Sequence, residues 1–167
     1  MIPIFEPYLV GSEKKYLLDC IKTNWISSQG PYIPRLESEI SNFFKVKYCV
    51  LTSSCTTALH LSLKALDIGV GDEVICPALT FIAPANMIQL SGAKLVLVDV
   101  DPITLTIDPN KIVKQITKKT KAIIVVHQFG HSAHMREITK IAKKYKLKII
   151  EDNAESLGGK YKGKYLG

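Results

Sequence analysis

The chain contains no apolar run near the roughly 20 residues that a membrane-spanning helix requires, so no membrane span is expected. Its opening, Met1-Ile2-Pro3-Ile4-Phe5-Glu6-Pro7, lacks the basic and apolar regions of a secretory leader, and a cytoplasmic protein is expected. The four cysteines, Cys20, Cys49, Cys55 and Cys76, show neither a CxxC pair nor a nearby His at zinc spacing. Neither a metal site nor a disulfide framework follows from them, and free buried thiols are the simpler reading. The glycine-rich fingerprints of phosphate loops and dinucleotide folds are absent. So are internal repeats, low-complexity tracts and linkers. Aromatic residues make up only 8% of the chain. Among the lysine-rich stretches only Tyr145 is interleaved for base stacking, which argues against a nucleic-acid surface.

What is present is a chain of 167 residues, 47% hydrophobic, with a net charge of +7. That is one domain's length with enough apolar residues for a core. The positive charge gathers in two stretches. One holds Lys111, Lys114, Lys118, Lys119 and Lys121, and the other runs from Arg136 to Lys148. The second follows an amphipathic helical pattern, where lysines form the wet face.

Short apolar strands alternate with helical patterns. Strands are expected at Tyr48–Thr52, Glu73–Cys76, Lys94–Asp99, Ala122–Val126 and Leu147–Glu151. Helices are expected from Thr56 to Leu66, in part of Thr80–Leu90, from Asp108-Pro109 through Ile116, and from His134 to Tyr145. Two further amphipathic helices, Ser12–Lys22 and Pro34–Phe44, precede them. Continuous apolar strands are those covered on both faces. The alternation therefore predicts an α/β fold of three layers with a mostly parallel sheet.

Ligands of open α/β sheets bind beyond the carboxyl ends of the strands. The residues there are Ser53 to Thr57, Pro77 to Phe81, His127 to Gly130 and Asp152 to Glu155. The first set enters a helix, whose free amides and dipole favour an anion. Hydroxyls of Ser54, Thr56 and Thr57 can add donors, and an ordinary Ser/Thr helix cap is the competing reading. Asp152 can pair with a ring nitrogen, cap a helix or join a salt bridge. Phe81 can stack on a planar ring or pack in a core. His127 can face a ligand or hydrogen-bond inside the protein.

These stretches resemble the DegT/DnrJ/EryC1/StrS family of sugar aminotransferases. The likeness rests on Trp25-Ile26-Ser27-Ser28-Gln29-Gly30, Thr52 to Leu61, Gly69 to Ile75, Pro77 to Ala83, Asp99-Val100-Asp101, Val126 to Gly130 and Glu151 to Glu155. Within the family, the opening and Glu155 look most like the perosamine-synthase type. The resemblance implies a fold-type-I large domain that binds pyridoxal 5'-phosphate. It implies amino transfer, typically from glutamate, to a keto nucleotide-sugar, as in amino-sugar synthesis for surface polysaccharide, by a homodimer when complete. Ser54, Cys55 and Thr56 would hold the cofactor phosphate, Phe81 would stack on the ring, Asp152 would hold the ring nitrogen, and Glu155 would lie near the ring hydroxyl. Trp25, Ser27 and Gln29 match a segment near the nucleotide-sugar site. Cys55 departs from the Gly or Ala usual in the family.

The resemblance further implies a seven-stranded sheet in the order 3-2-4-5-6-7-1, of which strands 1 to 5 fall here, and a Schiff-base lysine that no lysine of this chain matches. The expectation is therefore an N-terminal portion: residues 1–46 as helices and substrate loop, and 47–167 as part of the cofactor-binding domain, with strand 1 deprived of its neighbour. By itself such a chain is expected to be inactive. A non-catalytic remnant or cofactor- or partner-binding module is the alternative, and a thiol enzyme built on Cys55 and His127 is a third reading.

Overall fold

The computed structural model describes residues 6–167, and the chain divides into two compact units, the first ending at Leu51 and the second starting at Thr52. Met1–Phe5, on which the leader reading and part of the resemblance rest, lie outside the described residues.

The first unit holds two helices, α1 (Glu13–Lys22) and α2 (Tyr32–Phe44). Glu13 opens α1 and Lys22 closes it, each suited to the dipole at its end. The Tyr32 hydroxyl donates to Asp19 Oδ2 at 2.8 Å, and the Tyr16 and Tyr32 rings meet edge-on at 5.4 Å. Neither helix buries a residue, so the apolar faces predicted from their patterns remain largely open.

The strand expected at Tyr48–Thr52 is absent. A strand exists through its ladder, and among the described residues no strand pairs with this one. Tyr48 and Val50 are exposed, and the Leu51 amide donates instead to Glu37 Oε1 at 2.9 Å.

The second unit is built on β1 (Glu73–Pro77), β2 (Lys94–Val98), β3 (Thr120–Val126) and β4 (Lys148–Asp152). They form one parallel sheet in the order β2-β1-β3-β4. In the numbering implied by the family this is 3-2-4-5, as expected. Side chains alternate between two cores. Val74, Cys76, Ile124, Val126 and Ile150 face one apolar cluster with Leu59 and Leu63 of α3 (Cys55–Ala65) and Ile88 of α4 (Ile82–Leu90). Ile75, Ile123 and Val125 face a second with Ile112 of α5 (Pro109–Ile112) and Ile138 and Ala142 of α6 (Met135–Tyr145). Helices on both faces give the three layers. Each fully buried Ile or Val of β3 contributes roughly 1.5–3 kcal/mol.

Local chemistry sets the helix boundaries. Pro84 is tolerated because it lies in the first turn of α4, where its missing N–H has no intrahelical acceptor. Asp108 caps α5 by accepting from the Asn110 amide at 2.9 Å, with Pro109 following it. The helix expected through Ile116 tightens after Ile112 into a 3-10 turn, Val113–Gln115.

A hairpin of β5 (Lys160–Tyr161) and β6 (Lys164–Tyr165) was not expected beyond a turn. Its two linking residues, Lys162 and Gly163, both have positive φ (49° and 81°), the requirement of a tight two-residue hairpin turn.

Candidate functional site

The chain leaves β1 for β2 on one side and returns to β3 on the other. The order therefore reverses between β1 and β3, and a crevice opens beyond the carboxyl ends there. Pro77, Val126 and Asp152 end their strands at this rim.

Helix α3 begins with a complete capping box. Ser54 is extended, its Oγ accepts from the Thr57 amide at 3.2 Å, and Thr57 Oγ1 accepts from the Ser54 amide at 3.2 Å. The cap reading and the anion reading thus hold together. Ser54 and Thr57 spend hydroxyl contacts on the cap, while the Cys55 and Thr56 amides lie in the first turn, where the helix supplies no acceptor. Among the described residues nothing else accepts from these two amides, and the Thr56 hydroxyl makes no hydrogen bond. Two amides, a hydroxyl and the positive end of an 11-residue helix suit a phosphate.

Asp152 stands at the same place from the other side. It closes β4, is only 5% exposed, and is bound through Oδ1 alone. That oxygen accepts from the Ala154 amide at 3.0 Å and from Cys55 Sγ at 3.4 Å. Among the described residues Oδ2 accepts from nothing, and no cation pairs with this carboxylate. No helix starts at Asp152 and no cation pairs with it, so the helix-cap and salt-bridge readings are set aside, and its bond from the Ala154 amide closes a local turn. What remains is a buried carboxylate beside an anion cup, a pairing that fits a ring nitrogen and a phosphate on one flat molecule.

The thiol-enzyme reading fails on electrostatics. Burial, then the charge of Asp152, then the hydrogen bond to it push the Cys55 thiol up to about 11. Burial and Asp152 push Cys76 up to about 12. These influences raise the Cys55 thiol and so disfavour the thiolate that a nucleophile requires. All four cysteines are free.

Phe81 caps α4 and is 66% exposed, which removes the core-packing reading. It borders a cavity of about 260 Å³ with Thr80, Asn86 and Leu97. Glu155 Oε2 accepts from the Phe129 amide at 2.6 Å, and Phe129 sits in the left-handed region at φ 51°. Trp25, Ser27 and Gln29 belong to the first unit. Trp25 donates its amide to Cys20 O at 2.9 Å, and the Gln29 amide donates to Ser27 Oγ at 3.3 Å.

His127 proves to be an internal residue. It is fully buried, and its Nδ1 accepts from the Ala133 amide at 3.1 Å. The ring proton therefore sits on Nε2, which donates to Glu151 Oε2 at 3.0 Å. Burial pushes the Glu151 carboxyl up. Hydrogen bonds from His127 and the Gly167 amide outweigh it, and the net shift is downward. The contact missed from the sequence is that of the Cys55 thiol with Asp152, which nothing local signalled.

A parallel sheet wrapped on both faces, with its polar groups converging beyond one rim, defines a three-layer α/β protein of the ligand-binding kind. Similarity to known proteins narrows that class. The chain belongs to the DegT/DnrJ/EryC1/StrS aminotransferase family, whose pattern matches residues 7–167. It is 46% identical over 166 residues to the GDP-perosamine synthase of Escherichia coli O157:H7, covering 99% of this chain and 46% of that protein. It is 45% identical to the GDP-perosamine synthase of Caulobacter vibrioides, with 99% and 45% covered. A sugar aminotransferase of Streptococcus pneumoniae, solved in its PMP form, superposes with a TM-score of 0.92 at 31% identity, covering 98% of this chain and 45% of that one. The chain spans about half the length of the curated relatives it matches. Among the described residues, no helix is long and apolar enough to cross a membrane.

Proposed function

We propose that these residues form the cofactor-binding part of a pyridoxal-phosphate-dependent aminotransferase that acts on a keto nucleotide-sugar. The observation that carries this reading is the meeting of α3's first turn with Asp152, joined by the 3.4 Å contact from Cys55. Pyridoxal phosphate supplies an electron-accepting ring for amino transfer when bound. The amides of Cys55 and Thr56, with the Thr56 hydroxyl, hold its phosphate, and Ser54 fixes the turn that presents them. Asp152 keeps a proton on the ring nitrogen, since a buried carboxylate stabilises a neighbouring cation far more than one in water does. The open face of Phe81 offers a stacking wall, and Glu155, tethered by the Phe129 amide, lies on the ring-hydroxyl side. Trp25, Ser27 and Gln29 contribute to the nucleotide-sugar site. The expected amino donor is glutamate and the expected assembly a homodimer. The GDP-perosamine synthases among the relatives support a GDP-linked sugar as the substrate class.

Titration with pyridoxamine phosphate, followed by absorbance, tests the reading without requiring turnover. The wild-type chain is expected to bind saturably, and Asp152→Asn to bind at least tenfold more weakly while keeping its circular dichroism. Equal binding by both chains, or none by the wild type, would refute the assignment.

A further inference from the structure

Within the cofactor reading, the two oxygens of Asp152 are not equivalent. Oδ1 is fully committed, to the Ala154 amide at 3.0 Å and the Cys55 thiol at 3.4 Å. Oδ2 accepts from none of the described residues, although the side chain is only 5% exposed. Oδ2 is not one of the enclosed, unpartnered atoms of the fold, so it is the oxygen of this carboxylate left open to an incoming donor.

We propose that Cys55 is a positioning residue. Its S–H, donated across 97 residues of sequence to Asp152 Oδ1, fixes the carboxylate so that Oδ2 is the oxygen offered to the cofactor's ring nitrogen. The Ala154 amide belongs to the same turn as Asp152 and fixes it only locally. The thiol is the contact that sets the carboxylate relative to α3, and hence relative to the phosphate cup. Cofactor ring and cofactor phosphate are thereby held by groups that are themselves bonded to each other. The raised thiol value agrees, because a protonated thiol can donate and a thiolate cannot. Cys76, whose thiol is pushed up by burial and then by Asp152, donates no hydrogen bond to that carboxylate, so among the described residues Cys55 is its thiol donor.

Two readouts test this proposal. The first needs no cofactor: alkylation of Cys55 by iodoacetamide at pH 9, followed by peptide mass mapping. Asp152→Asn removes the negative charge that helps hold the proton on sulfur, although its carbonyl oxygen can still accept, so Cys55 is expected to react at least threefold faster than in the wild type. The second uses pyridoxamine phosphate. Cys55→Ala is expected to bind it about tenfold more weakly, the size of one hydrogen bond to a charged group, and to release the ring-nitrogen proton at lower pH in an absorbance titration. Cys55→Ser, which restores a donor, is expected to recover both values. A packing defect alone would not move the ring-nitrogen titration, nor would serine repair it selectively. Unchanged alkylation in Asp152→Asn, or equal affinity and titration in Cys55→Ala and wild type, would overturn the proposal. Failure of the wild type to bind pyridoxamine phosphate overturns the cofactor reading and this one with it. That case is told apart by the alkylation result, which judges the closeness of the thiol to the Asp152 carboxylate without any cofactor.

Discussion

Substituting Ser54 by alanine tests whether the capping box builds the cup. In the folded chain Ser54 Oγ accepts from the Thr57 amide and Thr57 Oγ1 accepts from the Ser54 amide, both at 3.2 Å. Alanine removes the first bond and keeps the second. An N-cap loss costs about 0.5–2 kcal/mol, and Ser54 is exposed, so water replaces part of what is lost. The expected cost is therefore about 0.5–1 kcal/mol, with the midpoint of thermal unfolding falling by a few degrees. Ser54→Gly keeps the extended backbone easily and should lose only a few tenths of a kcal/mol. Thr57→Ala removes the reciprocal acceptor, and because both bonds join the same two residues, the double variant should cost less than the sum of the singles. Urea unfolding measures the four variants against wild type, with the midpoint shifting and the slope unchanged. A Ser54→Ala chain as stable as wild type, or one more stable than Ser54→Gly, would refute the capping argument. Additive costs in the double variant would refute the reciprocity.

Other outcomes follow from different parts of the molecule. Glu73, buried at the start of β1, is lowered by hydrogen bonds from Thr117 and then Lys94. A carboxylate whose folded pKa is depressed contributes stability that is fully present above its unfolded value, about 4.3, and is lost as pH falls through the folded value. Acid unfolding of wild type should therefore steepen below about pH 4, and Glu73→Gln should flatten that part of the profile; an unchanged profile would refute the linkage. Hydrogen exchange should find the amides of 48–50 fast and those of Ala122 and Ile123 slow, since the latter two are paired with strands on both sides. Strong protection at 48–50 would show a pairing that the fold lacks.

Much of this could be read from the chain because burial leaves a local trace. Ala122 to Val126 is apolar at every position, and that pattern fits only a strand covered on both sides. Asp108-Pro109 and Ser54 announce helix starts through their own side chains. Tyr48 to Thr52 carried the same apolar signal and failed, because pairing depends on a partner that local pattern does not specify. The hairpin at Lys160–Tyr165 went unread since two-residue strands have no period, although Lys162-Gly163 held the turn signal. Within the site, the rim and Asp152 were legible from strand ends. The thiol bond from Cys55 was not, since its partners are distant in sequence and meet only through the packing of α3 on β4.

Strand order also dictates how the sheet assembles. β1 and β2 are joined by the single crossover α4 and pair directly, so they form the most local unit of the sheet. β3 then adds to the opposite edge of β1, and β4 adds to β3. Growth runs outward on one side, in the order in which a ribosome delivers the strands, with each addition closing a longer loop than a hairpin would. The strand that emerges first ends as an interior strand. Until β3 arrives, one edge of β1 stays open to any passing chain.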